Sequence, residues 1–228
     1  MKAKALGFIG VGIMGEGMVS NILSSGRKVF VVKHKNSAPI ERVKSKGARE
    51  VLDIKSLAEK CEIILLCLPN SKIVKQVFHK LVKNLAVHSI IIDCTTNNLS
   101  TVVEIGSLAK SENLRYVESP ITGGYQQSVD GKLGAMIGGS HEDYIVTKNI
   151  LLPCCERIER IGSLGMGTKA KLISNFLALG TASLAIESLK AAKNLGIDWE
   201  KFYNLTSLGS GSSKSLDRIA PKAIKEEY

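Results

Sequence analysis

Three glycines, Gly10, Gly12 and Gly15, stand in the run Gly7-Phe8-Ile9-Gly10-Val11-Gly12-Ile13-Met14-Gly15, between the short apolar stretch Ala5 to Ile9 and a helix-periodic one. A strand that turns through glycines into a helix is the arrangement a dinucleotide fingerprint requires. Gly10 makes the tight turn, Gly12 lets the backbone approach a pyrophosphate, and Gly15 lets the helix pack close to the strand. Free N–H groups at the helix start, around Ile13 and Met14, supply the phosphate donors. The competing reading is a glycine-rich turn that binds nothing. The position of the motif at the head of an alternating chain favours the nucleotide.

That alternation runs through the first 165 residues. Strands are expected at Ala5 to Ile9, Lys28 to Val32, Glu62 to Leu68, Ser89 to Ile92, Arg115 to Val117, Leu133 to Ile137 and Arg157 to Ile161. Helices are expected at Gly12 to Leu23, Ile40 to Lys46, Leu57 to Lys60, Ser71 to Val82, Thr101 to Lys110 and His141 to Leu152, with Asp130-Gly131 as a turn. Continuous apolar runs such as Ile63-Ile64-Leu65-Leu66 and Ile90-Ile91-Ile92 suit strands covered on both faces, hence a mostly parallel sheet flanked by helices.

The character changes after Gly165. Thr168 to Leu195 contains no proline and ends before Gly196, a plausible C-cap. A helix of that length would run roughly 42 Å at ~1.5 Å per residue. It is apolar around much of its circumference from Phe176 to Ile186, which suits a helical core, one built from two chains included. The most apolar segment, Ile173 to Ile186, has 14 residues and is too short to span a bilayer. Asp198 is placed to cap a further helix. Ser207 to Ser213 reads as a flexible polar stretch, and Ser215 to Tyr228 is too short to bury the faces before it. The expected division is 1–165, a dinucleotide-binding domain, and 166–228, a long helix opening an all-helical domain that is incomplete at Tyr228.

The net charge is +10. Arg27, Lys28, Lys33, Lys35, Arg42, Lys44, Lys46 and Arg49 stand against Glu41 alone in the segment 27–49. An NAD site often places Asp or Glu after the second strand, where this chain has Lys33-His34-Lys35. A 2′-phosphate is the small anion that suits part of this patch, so NADP is preferred over NAD; the remainder reads as solvated surface. Nucleic acid is disfavoured because aromatic residues are 5% and no zinc-finger or RNP-like pattern is present. The five cysteines, at 61, 67, 94, 154 and 155, form no CxxC pair and suit free thiols in a reducing compartment, the cytoplasm. No signal peptide or metal site is expected.

Three later segments carry candidate chemistry. Asp93-Cys94-Thr95-Thr96-Asn97 follows a strand, where Thr95 and Thr96 could contact nicotinamide or substrate, or form an Asx or Ser/Thr turn that caps the next helix. Ser119-Pro120-Ile121-Thr122-Gly123-Gly124 offers two glycine N–H groups and a hydroxyl, a small-carboxylate cradle or else a tight turn. Lys171 and Asn175 lie four apart at the start of the long helix and share a face. Lys171 could move a proton at a carbonyl or alcohol oxygen if desolvation, or a cation such as Lys169, lowers its pKa; otherwise it is a solvated surface lysine.

Taken in order, Gly7–Gly15, Asp93–Thr96, Ser119–Gly124 and Gly165–Asn175 resemble the blocks of the β-hydroxyacid dehydrogenase family, which contains 3-hydroxyisobutyrate dehydrogenases and the tartronate, glyoxylate and succinic semialdehyde reductases. The resemblance implies a Rossmann domain joined by a long helix to an all-helical, dimer-forming domain. It implies that Thr122, Gly123 and Gly124 hold a substrate carboxylate, that Lys171 is the general acid/base and that Asn175 is its companion. It also places Thr96 near the nicotinamide, and with the residue readings above the expected cofactor contacts are Gly10, Gly12, Ile13, Met14, Gly15, Lys33, His34, Lys35, Leu68, Pro69, Thr95 and Thr96. The activity implied is NADP-dependent interconversion of a small β-hydroxy acid and its semialdehyde or keto acid. Family members usually carry Ser where Thr122 stands, and they continue beyond the equivalent of Tyr228. The alternatives are an imine reductase, which shares the fold but usually lacks this lysine, and a non-catalytic NADP(H)-binding module that engages chromatin or nucleic acid.

Overall fold

A computed structural model describes residues 5–33 and 36–225. Its chain divides into two compact units, 1–171 and 172–228.

The first unit is built on one sheet. The strands are β1 (Leu6–Ile9), β2 (Val29–Val32), β3 (Arg49–Val51), β4 (Ile63–Leu66), β5 (Ile90–Asp93), β6 (Arg115–Glu118), β7 (Ile121–Thr122), β8 (Leu133–Gly138) and β9 (Cys155–Gly162). Between them run α1 (Ile13–Ser24), α2 (Ala38–Ser45), α3 (Ile54–Lys60), α4 (Ser71–Leu81), α5 (Leu99–Ser111), α6 (Tyr125–Val129) and α7 (His141–Leu151). The strand order is β3-β2-β1-β4-β5-β6-β8-β7, with β9 parallel to β8. The first six of these are parallel throughout, and β8 runs antiparallel to both β6 and β7. This is the doubly wound order, and it opens a crevice between the C-terminal ends of β1 and β4, where the winding reverses.

The apolar runs account for the layers. Alternate residues point to opposite faces, so one uninterrupted run serves two cores. Leu6 and Phe8 of β1, Leu65 of β4 and Ile90 and Ile92 of β5 enter one core with Met18 and Ile22 of α1. Ile9, Ile64, Leu66 and Ile91 enter the other with Val74 and Phe78 of α4 and Ile105 of α5. Each fully buried Leu or Ile here contributes roughly 1.5–3 kcal/mol.

Four elements depart from the sequence expectation. Neither β3 nor β7 shows in the pattern, because three and two residues are too few to display a period. The segment before Asp130-Gly131 is not only a turn: α6 fills Tyr125–Val129, anchored by Ser128 Oγ donating to Met14 O at 2.6 Å and by Asn21 Nδ2 donating to Ser128 O at 2.9 Å. The tail after Ser213 forms α10 (Lys214–Ile224), started by Ser213 Oγ accepting from Leu216 N.

The long helix α8 covers Met166–Asn194. It outruns the apolar segment Ile173 to Ile186 at both ends, and by length and composition alone it could cross a membrane. The second unit holds most of α8 together with α9 (Trp199–Thr206) and α10. Asp198 caps α9, accepting from Lys201 N at 2.9 Å. A small core gathers Ala185, Leu189, Leu216 and Ala220 around Trp199, whose Nε1 donates to Leu189 O at 2.7 Å. Leu172, Ile173, Phe176, Leu177, Leu179 and Leu184 are exposed.

Candidate active site

The glycine loop joins β1 to α1 as the motif requires. Gly10 has φ +105°, and a Cβ there would lie 2.1 Å from Cys67 O. A Cβ on Gly15 would lie 2.1 Å from Gly10 O, so this glycine is required for the helix to start so close to the strand. At Gly12 a Cβ would meet nothing within 4 Å. Gly12 therefore has no packing reason to be glycine, whereas a phosphate approaching the backbone needs that space. Ile13, the first residue of α1, is 74% exposed, Met14 is half-buried, and the first turn of α1 aims its N–H groups toward the loop side. These residues fit a dinucleotide pyrophosphate.

Across the crevice, the loop after β4 meets the loop after β5. Leu68 N donates to Thr95 Oγ1 at 3.0 Å, and exposed Pro69 follows. Below them Asp93 is fully buried, and three donors hold it. Thr95 N reaches Oδ1 at 2.9 Å, while Asn97 Nδ2 and the Tyr116 hydroxyl each reach Oδ2 at 2.8 Å. Burial pushes the Asp93 carboxyl up, and these hydrogen bonds resist the shift. The segment is thus an Asx turn, but the cap of α5 is Asn98, which accepts from Thr101 N. Thr95 is buried in the scaffold of the crevice and Thr96 is exposed beside it.

The loop around Thr122 is shaped by β7 pairing with β8, Thr122 opposite Gly134. Thr122 Cγ2 lies where a Cβ on Gly134 would stand, 2.7 Å away, so the methyl that distinguishes Thr from Ser fills the space that glycine leaves. Gly123 has φ +124°. Gly124 is exposed, and its N–H is engaged by Gln127 Oε1 at 2.9 Å. The contacts of Ser128 with Met14 and Asn21 tie this loop's helix, α6, to α1.

Lys171 sits early in α8 and is only 8% exposed. Burial holds its ammonium below the ordinary lysine pKa of 10.5. Lys169, considered above as the cation that would do this, is exposed, and desolvation alone accounts for the shift. Asn175 follows on the same helix within the second unit and is half-buried.

The basic segment is less free than its composition implies. Arg42 grips Glu16 of α1 with two nitrogens, at 2.6 and 2.7 Å. Lys44 bonds Glu41 at 3.1 Å and Glu50 at 2.9 Å, and Lys46 reaches Ser20 Oγ at 3.0 Å. Arg27 donates to Asn149 O, and Arg49 lies over the Phe30 ring. Lys33 is exposed just past β2; the Glu50 carboxyl is held down by its hydrogen bond from Lys44, with a smaller contribution from the charge of Lys33. His34 and Lys35 fall outside the described residues.

Sequence reasoning missed one residue of this region entirely. Glu118, the last residue of β6, is 1% exposed and accepts four hydrogen bonds from the start of α8. A glutamate just before the Ser119–Gly124 loop was the only signal available.

Residues 5–162 match the family model described as the NAD binding domain of 6-phosphogluconate dehydrogenase. An uncharacterised oxidoreductase of Synechocystis is 26% identical over the whole of this chain and 80% of its own length. The mitochondrial 3-hydroxyisobutyrate dehydrogenase of Drosophila melanogaster is 27% identical over 92% of this chain, which spans 64% of that relative. Among solved structures, a 3-hydroxyisobutyrate dehydrogenase of Salmonella typhimurium has a TM-score of 0.90 at 21% identity, covering 99% of this chain and 80% of its own. An imine reductase of Myxococcus stipitatus in complex with NADP+ has a TM-score of 0.83 at 16% identity, covering 97% and 78%.

Proposed function

The chain belongs to the β-hydroxyacid dehydrogenase family through its match to the NAD binding domain of 6-phosphogluconate dehydrogenase, and from that premise we propose an NADP-dependent enzyme that interconverts a small β-hydroxy acid and its semialdehyde or keto acid. The observation that carries this reading is Lys171, a lysine buried early in α8 with its pKa held down. A lysine whose charged form burial disfavours can exchange a proton with a substrate oxygen in either direction.

The nicotinamide, when bound, accepts or supplies the hydride. The chain's residues do the rest. Gly12 and the first turn of α1 bind the pyrophosphate, while Leu68, Pro69, Thr95 and Thr96 line the nicotinamide side. Thr122, Gly123 and Gly124 orient the substrate carboxylate, and Gln127 gives up the Gly124 N–H to it. Lys171 Nζ gives a proton to the carbonyl oxygen during reduction and takes it back during oxidation, and Asn175 orients the reacting group. By its sequence, the stretch Lys33-His34-Lys35 supplies cations for the 2′-phosphate, and of these Lys33 is exposed just past β2. The NADP preference rests on this short stretch, because Arg42 and Lys44 are committed to carboxylates.

A second copy of the chain is the proposed partner for the exposed apolar residues of α8, and the unpaired cysteines suit a reducing compartment such as the cytoplasm. The Lys171 ammonium also favours this reading over imine reduction, whose enzymes usually lack such a lysine.

The test follows absorbance at 340 nm, with NADPH and NADH offered separately against glyoxylate, succinic semialdehyde, tartronate semialdehyde and methylmalonate semialdehyde. Faster turnover with NADPH, abolished by Lys171→Ala while NADPH binding persists, is expected. Unchanged turnover in Lys171→Ala overturns the assignment of that residue. NADPH binding with no turnover of any acid favours the non-catalytic reading.

A further inference from the structure

We propose that Glu118 is a positioning residue for the reaction assigned above: its buried carboxylate, reaching from the end of β6, caps the start of α8 and holds Lys171 in place relative to the Thr122–Gly124 loop. The proposal rests on that functional reading for its kinetic consequence, and on geometry alone for its structural part.

A helix start leaves N–H groups that no earlier turn can satisfy. At α8 they are met by a single carboxylate 47 to 50 residues earlier in the chain. Glu118 Oε1 accepts from Gly165 N at 2.5 Å and Gly167 N at 3.0 Å. Oε2 accepts from Thr168 N at 2.9 Å and also from the Thr168 hydroxyl. Thr168 is one turn before Lys171, so the group fixing Thr168 fixes the segment of backbone that carries the lysine.

The surroundings are built around this contact. Gly138 pairs with Glu118 across β6 and β8, and a Cβ there would lie 2.0 Å from Glu118 Oε1. A Cβ on Gly167 would lie 2.4 Å from Met136 O, so the start of α8 is pressed against β8. Gly165 has φ +95°, which turns the chain into the helix. Glu118 is also the residue from which the loop to Thr122 departs, so one side chain sets the distance between the proposed proton donor and the proposed carboxylate cradle.

The charge suits this position. A carboxylate at a helix N-terminus meets the positive end of the helix dipole; burial pushes the Glu118 carboxyl up, and the hydrogen bonds from Thr168, Gly165 and Gly167 resist that shift. A glutamine would keep one acceptor oxygen, but it would turn an NH2 toward the donors of Thr168.

The test compares the wild-type protein with Glu118→Gln, Glu118→Asp and Thr168→Val. A misplacement of about 1 Å at a reacting group costs on the order of 10²-fold in rate. Glu118→Gln is therefore expected to lower kcat by about tenfold or more while KM for the acid and the NADPH Kd change by less than about threefold. Glu118→Asp should recover part of kcat, and Thr168→Val should show the same split on a smaller scale, which keeps the test open if Glu118→Gln does not fold. A lower Tm with kcat unchanged well below the transition makes Glu118 a structural cap only and overturns the proposal. The second readout needs no turnover: the Lys171 side-chain resonance in 13C-lysine-labelled protein, assigned with Lys171→Arg. It should move in Glu118→Gln or Thr168→Val even if the wild type reduces none of the acids, which would sink the functional reading but not the positioning. An unmoved resonance in folded variants overturns the proposal whatever the activity.

Discussion

The Tyr116 hydroxyl donates to Asp93 Oδ2 at 2.8 Å inside the sheet, directly beneath the turn that presents Thr95 and Thr96. Both groups are buried, and burial pushes both pKa values up, so the bond joins a shielded donor to a shielded acceptor. A hydrogen bond to a charged acceptor contributes about 1.5–3 kcal/mol, and Asn97 Nδ2 remains on the same oxygen when the hydroxyl is removed. Tyr116→Phe should therefore destabilise the protein by about 2 kcal/mol in denaturant unfolding. A change within about 0.5 kcal/mol would show that Asp93 is satisfied without it.

Two glycines of the same loop should respond in opposite ways. Gly12→Ala places a methyl in open space, so stability should stay within about 0.5 kcal/mol of wild type while NADPH affinity falls by about tenfold or more. Gly15→Ala drives a methyl into Gly10 O and should cost about 1–3 kcal/mol of stability. Thermal melts with and without NADPH separate the two effects, and equal loss of stability in both variants would contradict the assignment of Gly12 to the ligand.

Lys171 makes stability depend on pH with a definite sign. Its pKa is lowered by burial, so between the folded value and 10.5 the unfolded chain holds a proton that the folded chain has released. Stability therefore rises with pH across that window, and the full cost of the buried ammonium is present below it. Lys171→Met removes this cost. The variant should be more stable than wild type at pH 7, and the gap should close as the pH approaches 10.5. A gap that does not change with pH would mean that packing, not ionisation, separates the two proteins.

The thiols should be inert in the folded state. Desolvation raises Cys61 to about 11 and both Cys67 and Cys155 to about 12, and Cys94 and Cys154 are pushed up as well. Thiolate is the reactive form. Ellman's reagent at pH 8 should label none of the five cysteines in native protein and all five in denaturant. Rapid labelling of one thiol in native protein would identify a segment that opens.

Much of the first unit is legible without coordinates. The runs Ile63 to Leu66 and Ile90 to Ile92 suit strands covered on both faces, which β4 and β5 are, and the Gly10–Gly15 spacing marks the turn from β1 into α1. Elements shorter than their own period are not legible: β3, β7 and the five-residue α6 take their conformation from neighbours. The basic segment misleads for a related reason. Composition counts Arg42 as free charge, whereas the fold sets it against Glu16, which is 26 residues earlier on another helix.

The sequence by itself determined the alternation of strands and helices, the glycine turn and the long helix, because each follows from neighbours within a few residues: side-chain period, backbone freedom at glycine, and the absence of a breaker. Only the tertiary structure decided which charges are paired and which are buried. The sequence left Lys171 either a proton-transfer group or a solvated surface lysine until its burial lowered the pKa, and Glu118 carried no reading until the start of α8, 47 residues later, closed over its carboxylate. Ionisation depends on what surrounds a group in space, and residues remote in the chain supply those surroundings.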